Sequence, residues 1–254
     1  MVAVADSRNT LTLQLSRYIP VVPTPKQAAF LLLSEREAFF GGGAGSGKSS
    51  SLLMAALQYV DYPDYAAIIF RRTYTDLALP GALMDMAHSW LGPTDARWHG
   101  TEKTWRFPSG ATLSFGYMET DRDNYRYQSS EYVFCAFDEL THFEEDQYRY
   151  LFSRLRRPVA SNIPIRMRSA SNPGGIGHDW VKQRFITEGR AEGRVFIPAT
   201  LTDNPHLDRE MYVQSLMELD PITRRQLLEG DWSARQGGSK FKREWFEIVD
   251  AVPA

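Results

Sequence analysis

A run of glycines constrains this chain more than any other segment. Gly41-Gly42-Gly43-Ala44-Gly45-Ser46-Gly47-Lys48-Ser49 lies between the apolar run Ala38-Phe39-Phe40 and the helix-forming stretch Ser50 to Leu57. Gly42, Gly47, Lys48 and Ser49 satisfy G-x-x-x-x-G-K-[ST], and strand, loop and helix in that order is the setting this phosphate-binding pattern requires. Glycines let consecutive backbone N–H groups turn inward on a charged triphosphate, and the following helix aims the positive end of its dipole at the same place. The expected cradle is Gly42, Gly43, Ala44, Gly45, Ser46, Gly47, Lys48, Ser49 and Ser50. Lys48 suits the β- and γ-phosphates, and the Ser49 hydroxyl suits one position on Mg²⁺. ATP is preferred over GTP, because no Asn-Lys-x-Asp element is present to read guanine.

Around that loop, helix-like and strand-like runs alternate, which implies an α/β architecture with a mainly parallel sheet. Tyr65 to Phe70 reads as a buried strand, followed by Arg71-Arg72 and a helical stretch from about Thr75 to Leu91. Lys103 to Phe107 and Ala111 to Phe115 alternate about Pro108-Ser109-Gly110, the pattern of a β-hairpin. Tyr132 to Phe137 is continuously apolar, as a strand covered on both faces is, and a further strand is expected over Ile163 to Ala170. The domain reading is a P-loop core over 1–190, a smaller subdomain over 191–235 and a linker over 236–254. A single cysteine, Cys135, points to a reducing compartment. No signal pattern and no apolar stretch of membrane-spanning length is present, so no membrane role is expected. With 29 Lys+Arg against 31 Asp+Glu, any contact with nucleic acid has to be local.

The second half of the site follows from the strand at 132–137. It ends in Asp138-Glu139, at the carboxyl edge where open α/β sheets bind ligands. Asp138 is the expected second protein anchor for Mg²⁺, and Glu139 the group that orients and deprotonates the attacking water. Ser171-Asn172 ends the next strand: Asn172 either contacts the γ-phosphate or that water, or belongs to a turn ahead of Pro173. Gln27, in Thr24-Pro25-Lys26-Gln27, carries an amide that suits an adenine edge, although a surface glutamine at a helix start looks the same. Charge on the γ-phosphoryl oxygens calls for an arginine besides Lys48. Arg71, Arg72 and Arg126 are the candidates, with Arg126 preferred.

Taken together these segments resemble the ATPase half of a tailed-phage large terminase. The likeness runs through Thr24 to Gln27, the glycine loop, Phe70-Arg71-Arg72-Thr73-Tyr74, Tyr125 to Glu145, Ser171-Asn172-Pro173-Gly174-Gly175, Leu201 to Pro205 and Leu228 to Trp232. The resemblance implies a P-loop NTPase of the additional-strand, catalytic-glutamate type with a small lid. It also implies a motor that moves double-stranded DNA into a procapsid in the host cytoplasm, as a ring of five subunits with portal and small-subunit partners. Isolated, such a domain is expected to be monomeric and slow. Relatives often carry Leu-Arg-Gly where this chain has Tyr127-Gln128-Ser129, and Arg126 is the substitute for that arginine. Some carry an arginine within the loop where this chain has Ser46. Full-length relatives continue into a nuclease domain, so no DNA cleavage is expected of these residues. The alternatives are another nucleic-acid ATPase of helicase or recombinase type, and an ATP-switched assembly protein with poor turnover. A nucleoside kinase is disfavoured for lack of an acceptor signature. Arg154, Arg156, Arg157, Lys103 and Arg106 are candidate phosphate-backbone contacts.

Overall fold

Burial on both faces is the property that organises this molecule. In the computed structural model, which describes residues 3–4 and 11–235, two two-residue strands, β1 (Ala3–Val4) and β2 (Leu11–Thr12), pair antiparallel ahead of the main body. Helix α1 (Pro25–Leu32) starts at a Thr24 cap reinforced by Gln27, with Pro25 in the first turn, where its missing N–H costs nothing. Strand β3 (Glu37–Gly42) leads into the glycine loop and helix α2 (Lys48–Leu57). Then come β4 (Ala66–Arg71), α3 (Tyr74–Ala78), α4 (Leu83–Leu91), β5 (Arg97–His99), β6 (Thr104–Arg106) and β7 (Thr112–Tyr117). Strand β8 (Phe134–Asp138), helix α5 (Glu145–Tyr150), strand β9 (Arg166–Ser171), helix α6 (His178–Val181) and strand β10 (Val195–Ala199) complete the sheet layer. Helices α7 (Arg209–Met217) and α8 (Pro221–Arg224) follow.

The eight-stranded sheet has the order β10-β3-β9-β8-β4-β7-β6-β5. Its strands run parallel from β10 to β7, and only β6 and β5 are antiparallel. Successive side chains of the central strands enter opposite cores. Phe40, Ile69 and Ala136 pack against α1, α2 and α4, whereas Phe39, Phe70 and Phe137 pack with Tyr148, Val181, Phe185 and Trp232. Strand β9 lies between the loop strand β3 and the acidic strand β8, the additional-strand arrangement expected from the resemblance.

Three expectations are corrected. The helix expected over 75–91 is two helices, because Pro80 lacks an N–H and Gly81 adopts a φ of 76°. The strand expected from Ile163 begins at Arg166, since Pro164 cannot donate to a ladder. Residues 195–199, assigned to the smaller subdomain, instead form an edge strand registered on β3 from Val195↔Ala38 to Ala199↔Gly42, so the sheet continues past residue 191. The linker expected over 236–254 lies outside the described residues.

Candidate functional site

The loop after β3 takes its shape from glycines that no other residue could replace. Gly42 has a φ of 140°, and a Cβ there would stand 2.1 Å from the Ala199 carbonyl oxygen. That close approach lets Gly43 N–H donate to Ala199 O at 2.8 Å, while Ala44 N–H donates to Leu227 O at 2.7 Å. Gly47, with a φ of 78°, begins α2 without a side-chain cap, so the first-turn N–H groups have no capping side chain. Inside the loop the Lys48 ammonium donates to Gly43 O at 2.5 Å and Ser46 Oγ at 3.1 Å, and Ser46 Oγ donates to Gly43 O at 2.8 Å. Burial lowers the Lys48 amine to about 8, a fall opposed by the negative Glu139 and Asp138.

Strand β8 delivers the acidic pair to this edge. Ser49 Oγ lies 3.0 Å and 3.2 Å from the two Asp138 carboxylate oxygens. Arg71, at the end of the adjacent β4, donates through Nε to Asp138 Oδ2 at 2.8 Å, and its Nη2 is 2.8 Å from the same oxygen and 3.9 Å from Glu139 Oε1. Burial pushes the Asp138 carboxyl above its usual value, against the opposing pull of the Arg71 guanidinium. Glu139 holds a left-handed backbone (φ 52°, ψ 56°), an uncommon state for a non-glycine residue that turns its carboxylate away from the strand. Ser171 Oγ, 2.7 Å from Thr141 Oγ1, donates to Glu139 Oε2 at 3.2 Å. Asn172 Oδ1 is buried without a hydrogen-bond partner. A cleft of about 640 Å³ opens beside this carboxylate, bounded by Arg71, Glu139, Asn172, Gly174, His178 and Gln226.

The donors at Ser49 and Asp138 are both hard oxygens, and they meet at the head of a helix. That set suits Mg²⁺, which keeps several waters and shares the oxygens of a substrate phosphate. Among the described residues no cluster of three or more His, Cys, Asp or Glu forms a self-sufficient metal cage, so the phosphate would have to complete the coordination.

Residues 39–248 match the family model of the terminase large subunit, T4likevirus-type, N-terminal. The chain belongs to that family. Solved structures agree on the fold of this terminase chain. It is similar to the large terminase of the thermophilic bacteriophage D6E (13% identity, TM-score 0.67, covering 84% of this chain and 54% of that one). It is similar also to the bacteriophage HK97 large terminase (12% identity, TM-score 0.62, covering 84% and 51%). The Thermus phage P74-26 large terminase ATPase domain is covered in full at 15% identity, with a TM-score of 0.57 over 87% of this chain. The terminase chain spans about half the length of the D6E and HK97 proteins. No curated protein sequence matches it.

Within this terminase fold, Gln27 and Arg126 both have partners within their own chain. The Gln27 amide is engaged on both sides: Nε2 donates to Gly47 O at 3.0 Å and to Ser50 Oγ at 3.1 Å, and Oε1 accepts from Thr24 N at 2.9 Å. It braces the loop from behind instead of offering an open edge to a base. Arg126 sits on a half-exposed 3₁₀ turn, 3.1 Å from Asp123 and stacked over Tyr117, and does not join the acidic pair of its own chain. Arg71 occupies that place. The contact of the segment after β10 on the loop was missed: Asn204 Nδ2 donates to Gly45 O at 2.7 Å. Its only sequence signal was the Leu201 to Pro205 likeness, because a contact spanning 159 positions leaves no local pattern.

Proposed function

We propose that this chain hydrolyses ATP with Mg²⁺ and works as the motor domain that drives double-stranded DNA into a phage procapsid. The observation that carries this reading is the meeting of Lys48, Ser49, Asp138 and Glu139 at one sheet edge, with Glu139 turned out of its strand and bonded to Ser171. A D6E large terminase structure of the same fold is a complex with ATP-gamma-S (14% identity, TM-score 0.66, covering 83% of this chain and 53% of that one), which supports placing the nucleotide at this loop.

Lys48 and the first-turn N–H groups of α2 bind and orient the β- and γ-phosphates. Ser49 and Asp138 would hold Mg²⁺, which supplies charge neutralisation at the phosphate oxygens when bound. Glu139 aligns a water for in-line attack and accepts its proton as the new P–O bond forms and the bond to the bridging oxygen of ADP breaks. Asn172, with a buried acceptor to spare, holds a hydrogen of that water. The groove between residues 22–26 and 202–206, walled by Val22, Pro23, Pro25 and Pro205, takes the base, since Gln27 is committed to the loop.

Arg71 balances Asp138 within the subunit, and Arg126, carried on an outward-facing turn, acts on a neighbour's nucleotide in a homo-oligomeric ring. Residues 1–190, joined by β10, form the core and the remainder through 235 the lid. Portal and small-subunit partners, the five-fold ring and the host cytoplasm follow from the family; among the described residues no helix is long and apolar enough to cross a membrane. Steady-state Mg²⁺-dependent ATP hydrolysis over a wide protein concentration range tests the reading. Glu139→Gln should lose activity by about 10²-fold or more while still binding nucleotide, and activity per subunit should rise with concentration only when Arg126 is present. Undiminished turnover in Glu139→Gln would overturn the catalytic assignment.

A further inference from the structure

The segment after β10 does more than lie beside the glycine loop. Asn204 holds the Gly45 carbonyl, and a Cβ built on Gly45 would stand 2.7 Å from Leu207 Cδ2 and 3.1 Å from both Leu201 Cδ1 and Tyr212 Cε1. Two aliphatic side chains and the edge of an aromatic ring therefore crowd the apex of the loop. Tyr212 belongs to α7, whose polar outer face exposes its neighbour Met211 at 68%, whereas Tyr212 is half-buried. Burial raises the Tyr212 hydroxyl above its ordinary value, and the negative Glu139 adds to the rise. The tyrosine is thus in van der Waals range of the loop apex and in electrostatic range of the carboxylate on the facing wall.

Loop apex and Glu139 are the two walls between which the triphosphate is read above. We propose that Tyr212 is a residue of the nucleotide site, a plug carried by α7 whose ring competes with the triphosphate for the mouth of the glycine loop. This rests on the nucleotide reading of that loop. Three contacts make the plugged arrangement self-supporting: the ring edge on Gly45, Leu207 beside it, and the Asn204 bond that holds the same glycine. The Lys48 ammonium meanwhile is spent on Gly43 O and Ser46 Oγ. Nucleotide binding has to displace the ring, so the apparent affinity carries the cost of the plugged population, and occupancy of the loop is linked to displacement of α7.

The test is calorimetric titration of Mg²⁺-ATPγS into the full chain and its variants. Tyr212→Ala is expected to bind about tenfold tighter than the parent, the gain for a parent unplugged in about one molecule in ten. Tyr212→Phe, which keeps the ring edge, should stay near the parent, as should Met211→Ala on the exposed side of the same helix. Hydrogen exchange on the unmodified chain gives a second readout: amides of α7 should exchange faster once ATPγS is saturating. Unchanged or weaker binding by Tyr212→Ala, or α7 amides that ignore the nucleotide, would overturn the plug. The nucleotide reading fails separately, if Lys48→Ala binds ATPγS as well as the parent does.

Discussion

Replacing Arg71 with methionine isolates the strongest electrostatic pairing at the site. The guanidinium and Asp138 are 2.8 Å apart, with the two side chains 19% and 2% exposed. At an effective dielectric of about 20 such a separation gives a gross attraction of roughly 6 kcal/mol, much of it offset by the cost of taking both ions out of water. Removing one member leaves the other charged and buried, which typically costs about 3–5 kcal/mol. Ser49 still donates to Asp138, and water reaches the vacated side, so the lower end, about 3 kcal/mol, is expected. For a chain of this size that is a fall in Tm of roughly 6–12 °C. Burial already raises Asp138, and loss of the cation raises it further. With its folded pKa above the unfolded value, the variant's folded state holds a proton the unfolded chain has released. Its deficit should therefore shrink as the pH falls towards 5 and grow towards pH 8. The assay is urea unfolding in chelator-containing buffer of the parent, Arg71→Met, Asp138→Asn and the double variant at both pH values. A coupling energy of about 2 kcal/mol is expected; single effects that add within about 0.5 kcal/mol, or a deficit independent of pH, would refute the reasoning.

Gly42→Ala should lower stability by about 2–4 kcal/mol and weaken nucleotide binding, since its methyl meets the Ala199 backbone at 2.1 Å; thermal unfolding and titration with ADP check both. Arg168, fully buried, donates to the carbonyls of Leu33 at 2.9 Å and Glu35 at 3.0 Å. Arg168→Met strands those acceptors and should cost about 3 kcal/mol by urea unfolding. Lys48→Met should stabilise the nucleotide-free protein at pH 7 by about 1 kcal/mol. The fall of the amine from 10.5 to about 8 represents a penalty of about 3 kcal/mol, less two hydrogen bonds of about 1 kcal/mol each. Between those pH values the unfolded chain keeps a proton the folded parent has lost, so the parent gains stability as pH rises. The advantage of the variant should vanish near pH 9 and reverse by about pH 10, and urea midpoints at pH 7 and pH 10 decide it.

Much of the fold was legible because its central strands are covered on both faces and so must be apolar without interruption. Ala38 to Phe40, Tyr65 to Phe70 and Tyr132 to Phe137 announce themselves in this way, and Lys48, Ser49, Asp138 and Glu139 follow from what stands at their ends. Strand β10 hid because Pro198 lies within it, and proline counts against a strand unless the strand is known to lie at an edge. Strand β5, three residues with an arginine and a histidine facing outward, has too few side chains to show a period. The part played by Arg71 was harder to read. A motif offset states which residue is near in sequence, whereas the carboxylate is reached from the neighbouring strand β4, so Arg71 arrives 67 positions away. The bracing role of Gln27 was hidden because its amide bonds residues 20 and 23 positions away, which leaves no local pattern.

The attachment of the segment after β10 has a mechanical corollary. It leaves the sheet at Ala199, whose carbonyl is bonded to Gly43, and it returns where the Leu227 carbonyl is bonded to Ala44. A Cβ on Gly230 would touch the Gly43 nitrogen at 2.6 Å. A body pinned through Gly43, Ala44 and, by way of Asn204, Gly45 pivots about the short line those residues make, and here that line runs through the loop itself. The loop is then a fulcrum and α7, roughly 13 Å long, an arm. A shift of a fraction of an ångström at Gly43-Ala44 becomes a displacement several times larger at the outer end of the arm.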